Sequence, residues 1–280
     1  GIYGTFPVLD DEGNTAYALA TVFHNNFKDF SASFDVLFDE SVGGFRDPLS
    51  KRPLSPTKKF MVLNTGYKEG TIYYGKAYAT GNASILFEKG NTEITVNAKT
   101  EKGTHVDLPL YGAKEISEFD FIDFNTDTTK VKKKLDLTGV DLKLNIKATP
   151  DANIRLILDN QTNEEIRATG SGDIGLEVDN FGQIRMTGQY VINDGQYDFV
   201  LNPIRKTFEL DQGSKIIWSG SPYDASLDIK AYYKVNASLD ELNRDQIGGS
   251  STTKSEVRCV LNITQTLSSP AIALDIEVPN

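Results

Sequence analysis

The sequence predicts an all-β protein, and three observations carry that expectation. Apolar residues recur at every second position through most of its 280 residues, the period of a strand with one face in water. Helical periodicity is nearly absent, with one short basic turn at residues 130–134 as the only candidate. Asp194-Gly195 is a hairpin turn signal flanked by alternating apolar residues. A content of 39% hydrophobic and 24% charged residues fits a folded chain and not a disordered tail.

The strands follow in order. Phe30, Ala32, Phe34, Val36 and Phe38 alternate with Ser31, Ser33 and Asp35. Residues 40–59 read as a loop, because Pro48, Pro53, Pro56 and Gly43-Gly44 punctuate them. Ile94, Val96 and Ala98 form the next alternating set, followed by Leu142, Leu144, Ile146 and Ala148. If Asp194-Gly195 closes a two-residue hairpin, Ile192 faces Tyr197, Tyr190 faces Phe199 and Gly188 faces Leu201. The longest alternation is Leu227, Ile229, Ala231, Tyr233, Val235, Ala237 and Leu239, with Asp228, Lys230, Tyr232 and Lys234 between. Residues 240–256 read as a second loop, with Gly248-Gly249-Ser250-Ser251 at its centre. Val257, Cys259, Leu261 and Ile263, then Ile272, Leu274, Ile276 and Val278, end the series. The total is roughly 15 strands of antiparallel type. No shift in composition marks a domain boundary, so residues 1–280 read as one unit.

Composition excludes several functions. A formal net charge of −10 repels phosphate backbones, so no nucleic-acid partner is expected. One cysteine allows no internal disulfide, and two histidines leave little stock for His-based zinc sites or triads. Residues 170–175 match G-x-G-x-x-G, but Leu176-Glu177-Val178-Asp179 then alternates as a strand, where a dinucleotide loop needs a helix. Cys259 lies on the apolar side of its strand and reads as a small hydrophobe. His24 and His105 read as surface or strand-end residues. Glu115, Glu118, Asp120, Asp123 and Asp127 lack calcium-loop spacing and read as a solvated strand face. Asn82, Asn160, Asn236 and Asn262 match the glycosylation triplet by chance. Trp218 reads as packing at the core or its rim. No catalytic residue, metal or cofactor is expected, and the chain is not read as an enzyme.

The chain begins Gly1-Ile2-Tyr3-Gly4, without an initiator Met or a signal sequence, and has no apolar run near the ~18 residues that span a bilayer. It reads as a fragment of a longer protein, with any anchor outside it.

Residues 170–239 carry a specific resemblance. The Gly170-Ser171-Gly172 strand start, Gly188-Gln189-Tyr190, Tyr197 to Phe199, Phe208-Glu209-Leu210 and the long block from Ile216 through Trp218 and Pro222 to Tyr233 resemble the C-terminal region of the TamB family. That family supplies a subunit of the translocation and assembly module. Phe60 to Asn64, Tyr73 to Ala77 and Phe119 to Phe124 are similar to its Bacteroidota branch, as are Val257-Arg258-Cys259 and Ser269-Pro270 with Asp275-Ile276. The resemblance implies an elongated, curved sheet, a β-taco with an apolar concave groove, similar to AsmA-like bridge proteins that carry lipid. It also implies a periplasmic protein anchored in the inner membrane, reaching the outer membrane and meeting a barrel of the TamA or BamA type through a segment missing here.

Periodicity alone does not separate a groove from the core of a compact sandwich, and taken alone it favours the sandwich or a barrel. With the resemblance, the expected groove lining is Ile184, Met186, Tyr190, Ile192, Tyr197, Phe199, Leu201, Leu227, Ile229, Ala231, Tyr233, Val235, Ala237 and Leu239. Its expected cargo is phospholipid acyl chains, moved between the two membranes in support of outer-membrane biogenesis. The alternative is an assembly factor that captures outer-membrane barrel strands by β-augmentation. A third reading is a surface sandwich that binds sugar or protein through Trp218.

Overall fold

The computed structural model describes residues 2–25, 28–39, 46–47, 49–68, 73–88, 90–109, 139–201, 203–238 and 254–278. It is 75% strand, and its 16 strands form one mostly antiparallel sheet. In chain order they are β1 (Ile2–Leu9), β2 (Thr15–Asn25), β3 (Lys28–Leu37), β4 (Phe60–Thr65), β5 (Tyr74–Glu88), β6 (Asn91–Thr100), β7 (His105–Pro109) and β8 (Val140–Ala148). They continue with β9 (Asn153–Asp159), β10 (Glu164–Val178), β11 (Ile184–Leu201), β12 (Ile204–Leu210), β13 (Lys215–Gly220), β14 (Ser226–Ser238), β15 (Lys254–Thr266) and β16 (Ser269–Glu277). A 3-10 turn at Pro222–Asp224 is a helical element that the periodicity missed. The basic turn at 130–134 and the acidic stretch at 115–127 lie outside the described residues.

Long strands organise the sheet, because each pairs with two different short strands along one edge. β5 pairs with β4 through residues 75–79 and with β3 through 82–88. β10 pairs with β9 through 164–169 and with β8 through 172–178. β11 pairs with β13 through 186–191 and with β12 through 196–201. The sheet therefore has two halves that share long strands and meet along a crease. Apolar side chains from both halves, Ile174 and Trp218 from one and Ile166, Tyr197 and Phe208 from the other, pack in a single cluster. The sheet is thus folded over onto its apolar face. A smaller cluster of Ala16, Phe38 and Ala79 closes the crease near β2.

Gly188 shows why the crease needs glycine. Its φ is +106°, and a Cβ there would lie 2.0 Å from the Asp173 carbonyl oxygen. Only a residue without a side chain allows β10 and β11 to approach while β11 bends.

The expected Asp194-Gly195 hairpin is not formed. Both residues lie inside β11, opposite Thr169 and Ala168 of β10, and the chain turns instead between Leu201 and Ile204. The register shifts from Thr169↔Asp194 to Gly170↔Ile192, which leaves Asn193 as a one-residue bulge. A bulge exchanges the faces of the residues beyond it, as a two-residue hairpin does. The inward residues therefore change from Tyr190 and Ile192 to Tyr197 and Phe199 without any reversal of the chain. Gly195 serves close approach: a Cβ would meet the Arg167 carbonyl oxygen at 2.6 Å.

Two further differences are local. β6 with β8 and β7 with β9 pair in parallel, which requires crossover connections, and residues 110–139 separate β7 from β8 in the chain. The predicted loop at 240–256 is shorter at its end, since β15 already begins at Lys254. Within the loop at 40–59, the described residues hold only an isolated bridge between Arg46 and Pro53.

Candidate functional site

Register turns the alternation into surfaces, because residues directly paired across strands share a face. One apolar row runs Phe34, Ile85, Ile94, Leu142, Val178, Ile184 across β3, β5, β6, β8, β10 and β11. A second runs Val36, Ala83, Val96, Leu144, Leu176, Met186 across the same strands. A third row passes through Ala98, Ile146, Ile174 and Gly188 to Trp218 on β13. Apart from the buried Val178, the side chains of the first two rows are half-buried. No polar side chain interrupts either row.

On β6 and β8 the opposite face is polar, with Glu93, Thr95, Asn97 and Lys99 paired with Asp141, Lys143, Asn145 and Lys147. Asn145 Nδ2 donates to Asn97 Oδ1 at 2.9 Å, and Asn97 Nδ2 donates to Asn82 Oδ1 at 3.3 Å. In the other half of the sheet, Arg155 Nε donates to the buried Glu165 carboxylate at 2.8 Å. Arg167 Nη2 bonds Asp198 Oδ2 at 2.6 Å. Contact with Glu165 holds the Arg155 guanidinium even more firmly protonated than usual. These groups are paired across strands in a structural network.

The predicted lining residues divide into two environments. Ile184 and Met186 end the two half-buried rows. Tyr190, Ile192, Tyr197, Leu227, Ile229 and Ala231 are instead buried in the main cluster, with Phe199 and Tyr233 packed against it. Tyr197 is 1% exposed and Ile229 4%. Val235 is exposed and Ala237 half-buried, while the Leu201 side chain and Leu239 lie outside the described residues. Burial raises the Tyr190 phenol to about 12, and its hydroxyl has no partner among the described residues. Burial and a hydrogen bond donated to Glu164 push Tyr197 further up.

Beyond the cluster the same face becomes exposed again. Ile263 pairs with Ile272 and Leu261 with Leu274. Leu261 is fully buried, whereas Leu274 on the edge strand β16 is 60% exposed. The half-buried residues of β5, β6, β8 and β10 were missing from the predicted lining. Their alternation was visible, but which strand neighbours which was not.

Trp218 sits where the third row meets the cluster, with its indole N–H donating to the Pro222 carbonyl at 3.2 Å. Cys259 is half-buried against the cluster, in keeping with a packing role. His105 opens β7, its Nε2 3.0 Å from Asp107 on the polar face, and His24 lies within β2 beside the Phe30 ring. Gly170 and Gly172 belong to strand β10, as the alternation after them required.

Comparison with known families decides the wider context. Residues 55–280 match the family described as the TamB C-terminal domain. The chain belongs to the TamB family. No curated protein and no solved structure matches it. The TamB match starts just ahead of β4 and takes in every later strand, so the half-buried rows from β5 to β11 and the packed cluster all fall within it. TamB membership brings the setting of the translocation and assembly module and a periplasmic location, in a family that is generally non-catalytic. Among the described residues, no helix is long and apolar enough to cross a membrane.

Proposed function

We propose that this chain is one continuous segment of a longer, periplasm-spanning TamB-like protein. Its apolar face conducts phospholipids between the inner and outer membranes and so supports outer-membrane biogenesis. The observation that carries this reading is the pair of uninterrupted, half-buried apolar rows across six strands. Five inter-strand steps of ~4.8 Å make each row about 24 Å long, enough to lay an acyl chain across the strands. Burial contributes roughly 0.8 kcal/mol per CH₂ without directional bonds, so a chain is held yet free to slide. The headgroup stays in water beyond the rows, and no cofactor or catalytic group is needed.

In this reading Ile184 and Met186 line the track directly. The predicted residues of β11 and β14 continue the same face towards β16. Replacing Leu144 or Met186 by Asp puts a charge in the track at half-buried positions that tolerate it. Both variants should stay folded and lose most co-purifying phospholipid. Folded variants that retain wild-type lipid would count against the conduit.

A second reading, assembly of outer-membrane barrel proteins with a barrel of the TamA or BamA type, is favoured by β16. Among the described residues that strand pairs on one side only, and it exposes Ile272, Leu274 and Ile276. Such an edge is a template for strand addition. Ile272→Lys with Leu274→Lys should abolish capture of an extended barrel segment while leaving lipid contact at Met186, in the rows of β3 to β11, unchanged. Undiminished capture would remove this reading.

A further inference from the structure

The apolar face is open, then closed, then open again. Half-buried rows cover β3 to β11, the packed cluster follows, and Ile272, Leu274 and Ile276 are exposed on β16. A chain sliding from the first stretch to the last has to cross the cluster. Beyond β13 the first half of the sheet ends in the Pro222–Asp224 turn, so the face continues only through β14 and β15.

A series of rings runs through this mainly aliphatic cluster. Tyr197 and Phe199 lie with centroids 5.7 Å apart, Phe199 and Phe208 5.9 Å apart, and Phe208 and Tyr233 6.2 Å apart. Polar tethers hold both ends of this series. The Tyr197 hydroxyl donates to the Glu164 carboxylate, and Lys206 Nζ lies 3.3 Å from the Tyr233 hydroxyl and 4.8 Å over its ring. The closed packing also leaves the buried Tyr190 hydroxyl without a partner among the described residues, a cost that an opened, hydrated arrangement relieves.

We infer that this aromatic series is a gate across the lipid track, latched by the Tyr197–Glu164 hydrogen bond. The inference rests on the lipid-conduit reading and adds regulation to it.

The chain contains its own reporters, its single tryptophan at the near side of the gate and its single cysteine against the cluster. Phosphatidylcholine with brominated acyl chains should quench Trp218 in the wild type, marking lipid at the end of the track. Cys259 should react slowly with an apolar maleimide in the wild type. Reaction should become several-fold faster in Tyr197→Phe and in Glu164→Gln, both checked for an unchanged far-ultraviolet β spectrum. Wild-type Cys259 reacting as fast as in the folded variants, or an unchanged slow rate in both, overturns the gate while leaving the conduit standing. Trp218 that is never quenched overturns the conduit reading, and the gate with it.

Discussion

The Thr104 hydroxyl holds both backbone groups of Tyr78. It accepts from the Tyr78 N–H at 3.0 Å, and its single proton is shared between the Tyr78 carbonyl at 3.0 Å and the Glu101 carbonyl at 2.7 Å. Ser214 does the same for Lys230, at 3.1 and 3.3 Å. Each hydroxyl ends an acidic-x-Gly-Ser/Thr turn, Glu101 to Thr104 and Asp211 to Ser214, with the glycine at positive φ. The two turns sit where β6 gives way to β7 and β12 to β13, along the crease. A long strand crossing the crease loses its ladder partner there; the hydroxyl serves its N–H, and the N–H of Glu101 or Asp211 serves its carbonyl.

Removing either hydroxyl should therefore cost more than an ordinary surface change. Thr104→Val keeps the volume and strands the Tyr78 N–H, and Ser214→Ala strands the Lys230 N–H, while the two carbonyls keep the Glu101 and Asp211 N–H groups as donors. Each should lower urea stability by about 1–3 kcal/mol, with the m-value unchanged.

Gly188→Ala places a methyl group against the Asp173 carbonyl at a backbone angle that alanine resists. The combined strain and overpacking should cost roughly 3 kcal/mol or more. Hydrogen exchange should quicken first in residues 172–174 and 187–189, the strands that must separate.

Tyr190→Phe removes the stranded hydroxyl and should raise stability by about 1 kcal/mol. The same phenol governs alkaline behaviour. Its folded value of about 12 lies above the ordinary 10, so folding favours the protonated form. That contribution is fully present below pH ~10 and is lost as pH rises towards ~12. Chemical unfolding measured across that window should show a wild-type decline that Tyr190→Phe reduces.

Arg155→Met leaves the buried Glu165 carboxylate without its main partner. The guanidinium is one-third exposed, so the cost should be about 2–3 kcal/mol, below that of a fully buried pair. Adding Glu165→Met should recover most of it, as measured by thermal unfolding.

Most strands were legible because each carries its own alternation, as at Phe30 to Val36 or Leu227 to Ala237. Local pattern misled at Asp194-Gly195. There a bulge and a hairpin leave the same trace, a change in which residues are apolar, and only the neighbouring strand tells them apart. The parallel pairing of β6 with β8 was likewise invisible, since it depends on a crossover and not on any property of Ile94 or Leu142. The same limit shaped the predicted lining. Ile184 and Ile229 look alike in the sequence, yet one ends a half-buried row and the other is in the packed cluster, because burial depends on what the crease brings opposite. Ile229→Asp should accordingly unfold the protein, whereas Met186→Asp should not.

The most direct measurement compares two adjacent residues of β11 that face opposite ways. A photo-crosslinking residue at Met186 looks along the apolar row, and one at Thr187 lies on the polar face. Irradiation in cells should attach phospholipid at Met186 and leave Thr187 unlabelled. Equal labelling at both positions, or none at Met186, would contradict an acyl-chain track on this face.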